Sequence, residues 1–103
     1  MLETIKNIFG LEKPDYVEIK NRGAVILDVR SKSEYDAGHI RGSVNISVDQ
    51  LAFNLNKLKN KNKPIITCCA SGLRSASAKN ILKSYGYTEV YNGGPWDSLQ
   101  NKI

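Results

Sequence analysis

Pro64-Ile65-Ile66-Thr67-Cys68 runs directly into Cys69-Ala70-Ser71-Gly72-Leu73-Arg74-Ser75, and this junction decides the fold. The first five residues are short, β-branched and apolar, as expected of a buried parallel strand. Beyond Ser75, the residues Ala78, Ile81, Leu82 and Tyr85 recur at helical spacing, and Gly86 stands where that helix should stop. A strand that becomes a helix within a few residues gathers backbone N–H groups at the helix start, with the positive end of the dipole behind them. Such a cup stabilises an anion. A thiol placed in it, Cys69, can act as a nucleophile.

Working outward, Ala24-Val25-Ile26-Leu27-Asp28-Val29 predicts a central strand, and Ser31-Lys32-Ser33-Glu34 reads as a capping box for a short helix running to about Ala37 and stopping at Gly38. Val44-Asn45-Ile46 predicts a brief strand. Ser47-Val48-Asp49-Gln50 reads as a second capping box, ahead of Leu51, Leu55 and Leu58 at i, i+4 and i+7, and so predicts an amphipathic helix. Thr88 to Tyr91 predicts another strand. Gly93-Gly94-Pro95 then reads as a turn, with Pro95 suited to the first position of a last helix carrying Trp96, Leu99 and Ile103. Pro14 to Lys20 looks helical. Strands alternating with helices indicate an α/β domain with a mainly parallel sheet. Leu2, Ile5, Ile8 and Phe9 give residues 1–13 one apolar face, which predicts an N-terminal helical extension packed on a domain of residues 14–103.

At 103 residues the chain fits one domain with a single core. Hydrophobic residues at 41% and charged residues at 24% argue against disorder. No apolar run approaches the ~20 residues of a membrane span. Met1 to Phe9 lacks a basic region followed by an apolar stretch, so it does not read as a secretory signal, and a cytoplasmic location is expected. Cys68 and Cys69 are neighbours, a spacing that makes neither a disulfide framework nor a zinc site; reduced thiols, no metal and no cofactor are expected. The net charge of +5 invites a nucleic-acid reading. Lys57, Lys59, Lys61 and Lys63, however, have no interleaved aromatic residue and lead into Pro64, which reads as a solvated connection. The positive field favours small anionic substrates instead.

Leu27-Asp28-Val29-Arg30, then Glu34-Tyr35, then Gly38-His39-Ile40-Arg41-Gly42-Ser43-Val44-Asn45-Ile46 resembles the N-terminal signature of single-domain rhodaneses. Cys69-Ala70-Ser71-Gly72-Leu73-Arg74-Ser75 resembles their Cys-x-x-Gly-x-Arg-Ser active-site loop, and Gly93-Gly94 followed by Trp96 is similar to their closing motif. The resemblance covers Pro14 to Ile103. It implies a five-stranded, mostly parallel sheet flanked by helices, and sulfurtransferase activity at Cys69. A cysteine at a helix start near an arginine can have its pKa lowered from about 8.5 into the ~3.5 to 7.5 range, which agrees with that role. The implied chemistry is double displacement, from a small anionic donor such as thiosulfate to cyanide, a cellular thiol or a protein partner in a sulfur relay. N–H groups from Ala70, Ser71, Gly72, Leu73 and Arg74 are expected to cradle the sulfur, with Gly72 permitting the tight path and Arg74 adding charge. No second cation stands in the loop, which argues against strong thiosulfate affinity.

Asp28 and Arg30 fall at the C-terminal end of a central strand, the side on which open α/β sheets place ligands, and are expected to support the loop by pairing with one another or with Arg74. His39 belongs to a turn and Trp96 to the core. Two rival functions share these residues. Counted from Cys68 the loop reads Cys-x5-Arg-Ser, the phosphate-binding pattern of cysteine phosphatases and arsenate reductases; counted from Cys69 it is Cys-x4-Arg. The choice turns on which sulfur faces the cup. A non-catalytic rhodanese-like binding module is the other alternative.

Overall fold

The computed structural model describes residues 13–103, so the helical extension expected over residues 1–13 lies, but for Lys13, outside the described residues. Helix α1 (Tyr16–Asn21) is capped by Asp15, whose side chain accepts the Glu18 N–H. Strand β1 (Val25–Asp28) leads into helix α2 (Lys32–Ala37), where the Ser31/Glu34 capping box forms in both directions. Then come β2 (Val44–Asn45), β3 (Ile65–Cys69), helix α3 (Leu73–Ser84), β4 (Val90–Pro95) and helix α4 (Trp96–Gln100).

The strands form one sheet in the order β2-β1-β3-β4, every pair parallel. Four strands, not five, are present among the described residues. Ahead of α1 only Lys13, Pro14 and Asp15 are described, and Pro14 has no N–H to give to a ladder.

Side chains alternate between the faces of a strand, and the two halves of the core follow that alternation. Leu27, Ile65 and Cys69 join Leu51, Leu58, Ala78, Leu82 and Tyr87 beneath α3. Ile26, Ile66 and Cys68 join Ile19, Ile40 and Leu99 beneath α1 and α4. The adjacent cysteines therefore lie on opposite sides of the sheet.

Three local expectations are corrected. The helix expected after Ser47 is a pair of 3-10 segments, Val48–Phe53 and Leu55–Lys57, and Ser47 makes no side-chain cap. Asn54 breaks between them with a φ of -126°, away from helical values, and asparagine competes with helical bonding. Strand β4 runs on through Gly93 and Gly94 rather than turning there. Against β3 it advances from Asn92 to Pro95 while β3 advances only from Thr67 to Cys69, an irregularity of the bulge kind. Packing demands the glycine: a Cβ on Gly93 would sit 2.8 Å from Ile66 Cγ2, Leu99 Cδ2 and the Thr67 carbonyl oxygen. Finally, Pro95 is the cap of α4 rather than its first residue, and Ile103 packs on the core from beyond the helix end.

Candidate active site

Cys69 closes β3, and its side chain is fully buried on the α3 side. Gly72 caps α3 with a left-handed φ of 101°, which folds the loop back over the sulfur at little cost only for glycine. Sγ accepts the Gly72 N–H at 3.0 Å and the Ser75 N–H at 3.3 Å, and the Ser75 hydroxyl lies 3.3 Å away. Burial alone would push the thiol up. Hydrogen bonding with the Ser75 side chain, together with the N–H groups of Ser75, Gly72 and Ser71, outweighs it and holds Cys69 below the ordinary thiol value.

Of the five consecutive residues expected to cradle the sulfur, Gly72 and Ser71 present their N–H groups to it, and Ser75, outside that set, adds another. Ala70 and Ser71 are exposed, and Leu73 is 77% exposed. Arg74 turns aside into a two-pronged pair with Glu34, Nη1 to Oε1 at 2.7 Å and Nη2 to Oε2 at 3.0 Å. That guanidinium, helped by the Ser31 N–H and hydroxyl, draws the Glu34 carboxyl down to about 2. Arg74 thus ties the start of α3 to α2, and its charge reaches the sulfur only through space.

Cys68 meets a different environment. It pairs in register with Asp28, and burial, with the Asp28 carboxylate second, pushes it up to about 12. Arg30 opposes this only in part. Asp28 and Arg30 bond one another, not Arg74: Arg30 Nε donates to both Asp28 oxygens at 3.0 and 3.1 Å, and Nη2 donates to Oδ2 at 2.7 Å. Arg30 also reaches the Gly38 carbonyl at 2.7 Å and lies 4.7 Å over the Trp96 ring. The pair braces the strand ends on the Cys68 side. His39 stacks on Tyr35 with its Nδ1 2.6 Å from the Tyr35 carbonyl, as a turn residue would.

Two contributors escaped the sequence reading: Ser75, read only as part of a motif, and Asn92. The Asn92 amide accepts from the Ser75 hydroxyl at 2.6 Å and the Gly94 N–H at 3.0 Å, and donates to the Gly72 carbonyl at 3.2 Å. Its signal was parity: Asn92 pairs with Thr67, two residues before Cys69, and so shares its face. Among the described residues, no group of three His, Cys, Asp or Glu is placed to hold a metal ion, and no helix is long and apolar enough to cross a membrane.

The model of the rhodanese-like domain family matches residues 13–94. The Bacillus subtilis protein YqhL is 38% identical over 71 residues, 69% of this chain, which spans 56% of that relative's length. Thiosulfate sulfurtransferase GlpE of Pseudomonas fluorescens is 31% identical over 80 residues, covering 77% of this chain and 72% of that protein. Among solved structures, a rhodanese with anions from E. coli superposes with a TM-score of 0.68 at 31% identity, covering 72% of this chain and 88% of that one. The parallel sheet, the Cys69 loop and these matches together make the chain a member of the rhodanese-like domain family.

Proposed function

We propose that this chain is a sulfurtransferase that carries sulfane sulfur as a persulfide on Cys69. The observation that supports the reading most is the Cys69 sulfur held against the Gly72 and Ser75 N–H groups at the mouth of α3. In the first half-reaction the thiolate attacks the outer sulfur of thiosulfate, a sulfur–sulfur bond forms at Cys69, and the bond to the sulfite group breaks with its electron pair leaving on sulfite. In the second, cyanide or a thiolate attacks the outer sulfur of the persulfide, leaving as thiocyanate or a new persulfide and restoring the Cys69 thiolate. The loop N–H groups stabilise the negative charge of the attacking thiolate and of the persulfide. Thiosulfate is the donor named for the Pseudomonas relative, and a protein thiol in a sulfur relay fits the same chemistry.

The facing of the two cysteines weighs against the phosphatase and arsenate-reductase count. Cys-x5-Arg would start from Cys68, whose thiol sits on the far side of the sheet and is pushed up to about 12. An intact cysteine with its donors in place likewise favours catalysis over a binding module.

Incubation with thiosulfate followed by intact mass measurement tests the reading. Wild type and Cys68→Ser are expected to gain one sulfur that cyanide removes, and Cys69→Ser to gain none. An adduct that follows Cys68, or none in wild type while phosphate esters are hydrolysed, would overturn it.

A further inference from the structure

The Asn92 amide has only one orientation consistent with its neighbours. The Gly94 N–H can only donate and the Gly72 carbonyl can only accept, so Oδ1 faces Gly94 and Nδ2 faces Gly72. Ser75 Oγ lies 2.6 Å from that same Oδ1, which can only accept. The single hydroxyl proton of Ser75 therefore points at Asn92. Toward Cys69, 3.3 Å away, Ser75 presents lone pairs, which suit a thiol that donates and oppose a thiolate.

We infer that Asn92 is a positioning residue: it holds the Ser75 hydroxyl proton away from the Cys69 sulfur, so that the hydroxyl supports the thiolate only after turning away from Asn92. In the resting chain the order of donation is Cys69 S–H to Ser75 Oγ, then Ser75 O–H to Asn92 Oδ1. On ionisation the thiol proton passes to solvent, the S–H bond to Ser75 is lost, and the hydroxyl rotates to donate to sulfur at the expense of its short bond to Asn92. The backbone donors of Gly72 and Ser75 are fixed by the fold and serve throughout. Asn92 thus sets how much of the available hydrogen bonding the thiolate receives. The inference adds a control to the sulfurtransferase reading, yet it concerns ionisation of the thiol and can be tested without sulfur transfer.

The charged and titratable groups around the site are Arg74 of α3, which acts on Cys69 through space, Glu34 of α2 bonded to Arg74, and Cys68 and Asp28 on the opposite face. The test leaves Arg74, Glu34 and Asp28 unchanged. Thiolate absorbance is titrated against pH in a Cys68→Ser background, so that one thiol is read. Asn92→Ala frees the hydroxyl, and the Cys69 titration is expected about one pH unit lower, the scale of one hydrogen bond to a charged group. Asn92→Asp keeps the acceptor and adds a negative charge, and the titration is expected to move up by at least as much. In a Ser75→Ala chain, Asn92→Ala is expected to shift nothing downward, because no hydroxyl remains to release. A loop merely loosened by Asn92→Ala would lose its N–H donors and titrate higher. An unchanged or raised value in that variant, or a fall that persists without Ser75, overturns the inference. If Asn92→Ala fails to fold by circular dichroism, the Asp variant decides, and a value equal to or below wild type refutes the idea. Absence of a persulfide with these shifts intact would sink the sulfurtransferase reading alone.

Discussion

Cys68 and Cys69 share a strand, are neighbours in sequence and are both fully buried, yet one thiol is pushed up to about 12 and the other is held below its ordinary value. Burial pushes both up and is the largest cause at Cys68; at Cys69 alone, hydrogen bonds to the sulfur outweigh it. The α3 side supplies N–H donors that a loop glycine folds over the sulfur; the other side supplies the Asp28 carboxylate, with Arg30 committed to it. One residue of strand separates a thiol whose ionisation its neighbours favour from one whose ionisation they oppose. The two faces divide the work as well, with the Asp28–Arg30 side bracing the fold and the Cys69 side holding the chemistry.

The division makes claims that can be broken. Arg30→Ala should have the largest effect on stability, since it leaves the buried Asp28 carboxylate without its partner and strips a cation from Trp96 and a donor from Gly38. Losing one member of a buried pair costs about 3–5 kcal/mol, a shift that urea unfolding would reveal. The fraction that remains folded should still take up sulfur at Cys69; a folded but unreactive Arg30→Ala protein would show that the two faces are not separable.

Gly93→Ala comes next, because the added methyl meets atoms 2.8 Å away, including the rigid Thr67 carbonyl as well as Ile66 and Leu99 side chains. Overpacking of that kind costs about 1–3 kcal/mol. For a domain of this size each kcal/mol lowers the melting temperature by about 4–8 °C, which calorimetry would resolve. A melting temperature within a degree of wild type would mean that β4 yields freely at the bulge, and that the Asn92 register is looser than its three bonds imply.

What could be read from the sequence follows from how local each feature is. The Ser31/Glu34 cap, the Cys69 turn and the run of β1 depend on neighbours a few residues apart, and all three stand as read. The face Asn92 shares with Cys69 follows from strand parity only once β4 is paired with β3 so that Asn92 stands beside Thr67, a contact between segments distant in sequence. The partner of Arg74 was missed for a related reason. Glu34 explained itself fully as a helix cap, and its second task, 40 residues away in sequence, appears only when α2 and α3 are brought together. Which sulfur faces the donors was legible in principle, since strand parity assigns neighbours to opposite faces; what the sequence lacked was which face α3 covers.

The smallest effect distinguishes an exposed brace from the buried one. The Arg74–Glu34 pair has side chains 38% and 37% exposed, so water and salt weaken it, and surface pairs contribute little. Its sign is nevertheless fixed. The folded Glu34 carboxyl titrates at about 2, below the ordinary 4.5, so its contribution to stability is complete above pH 4.5 and is lost as pH falls through about 2. Glu34→Gln keeps a residue that can complete the capping box and removes only the charge. Urea unfolding should therefore show the variant slightly less stable at pH 7, with the gap closing between pH 4.5 and 2 and shrinking in molar salt. Other carboxylates with depressed values, such as Glu89, titrate in both proteins and cancel in the difference. A gap that persists at pH 2 would mean that Glu34 acts through shape and capping rather than charge, and the brace that positions α3 over Cys69 would then be independent of the ion pair.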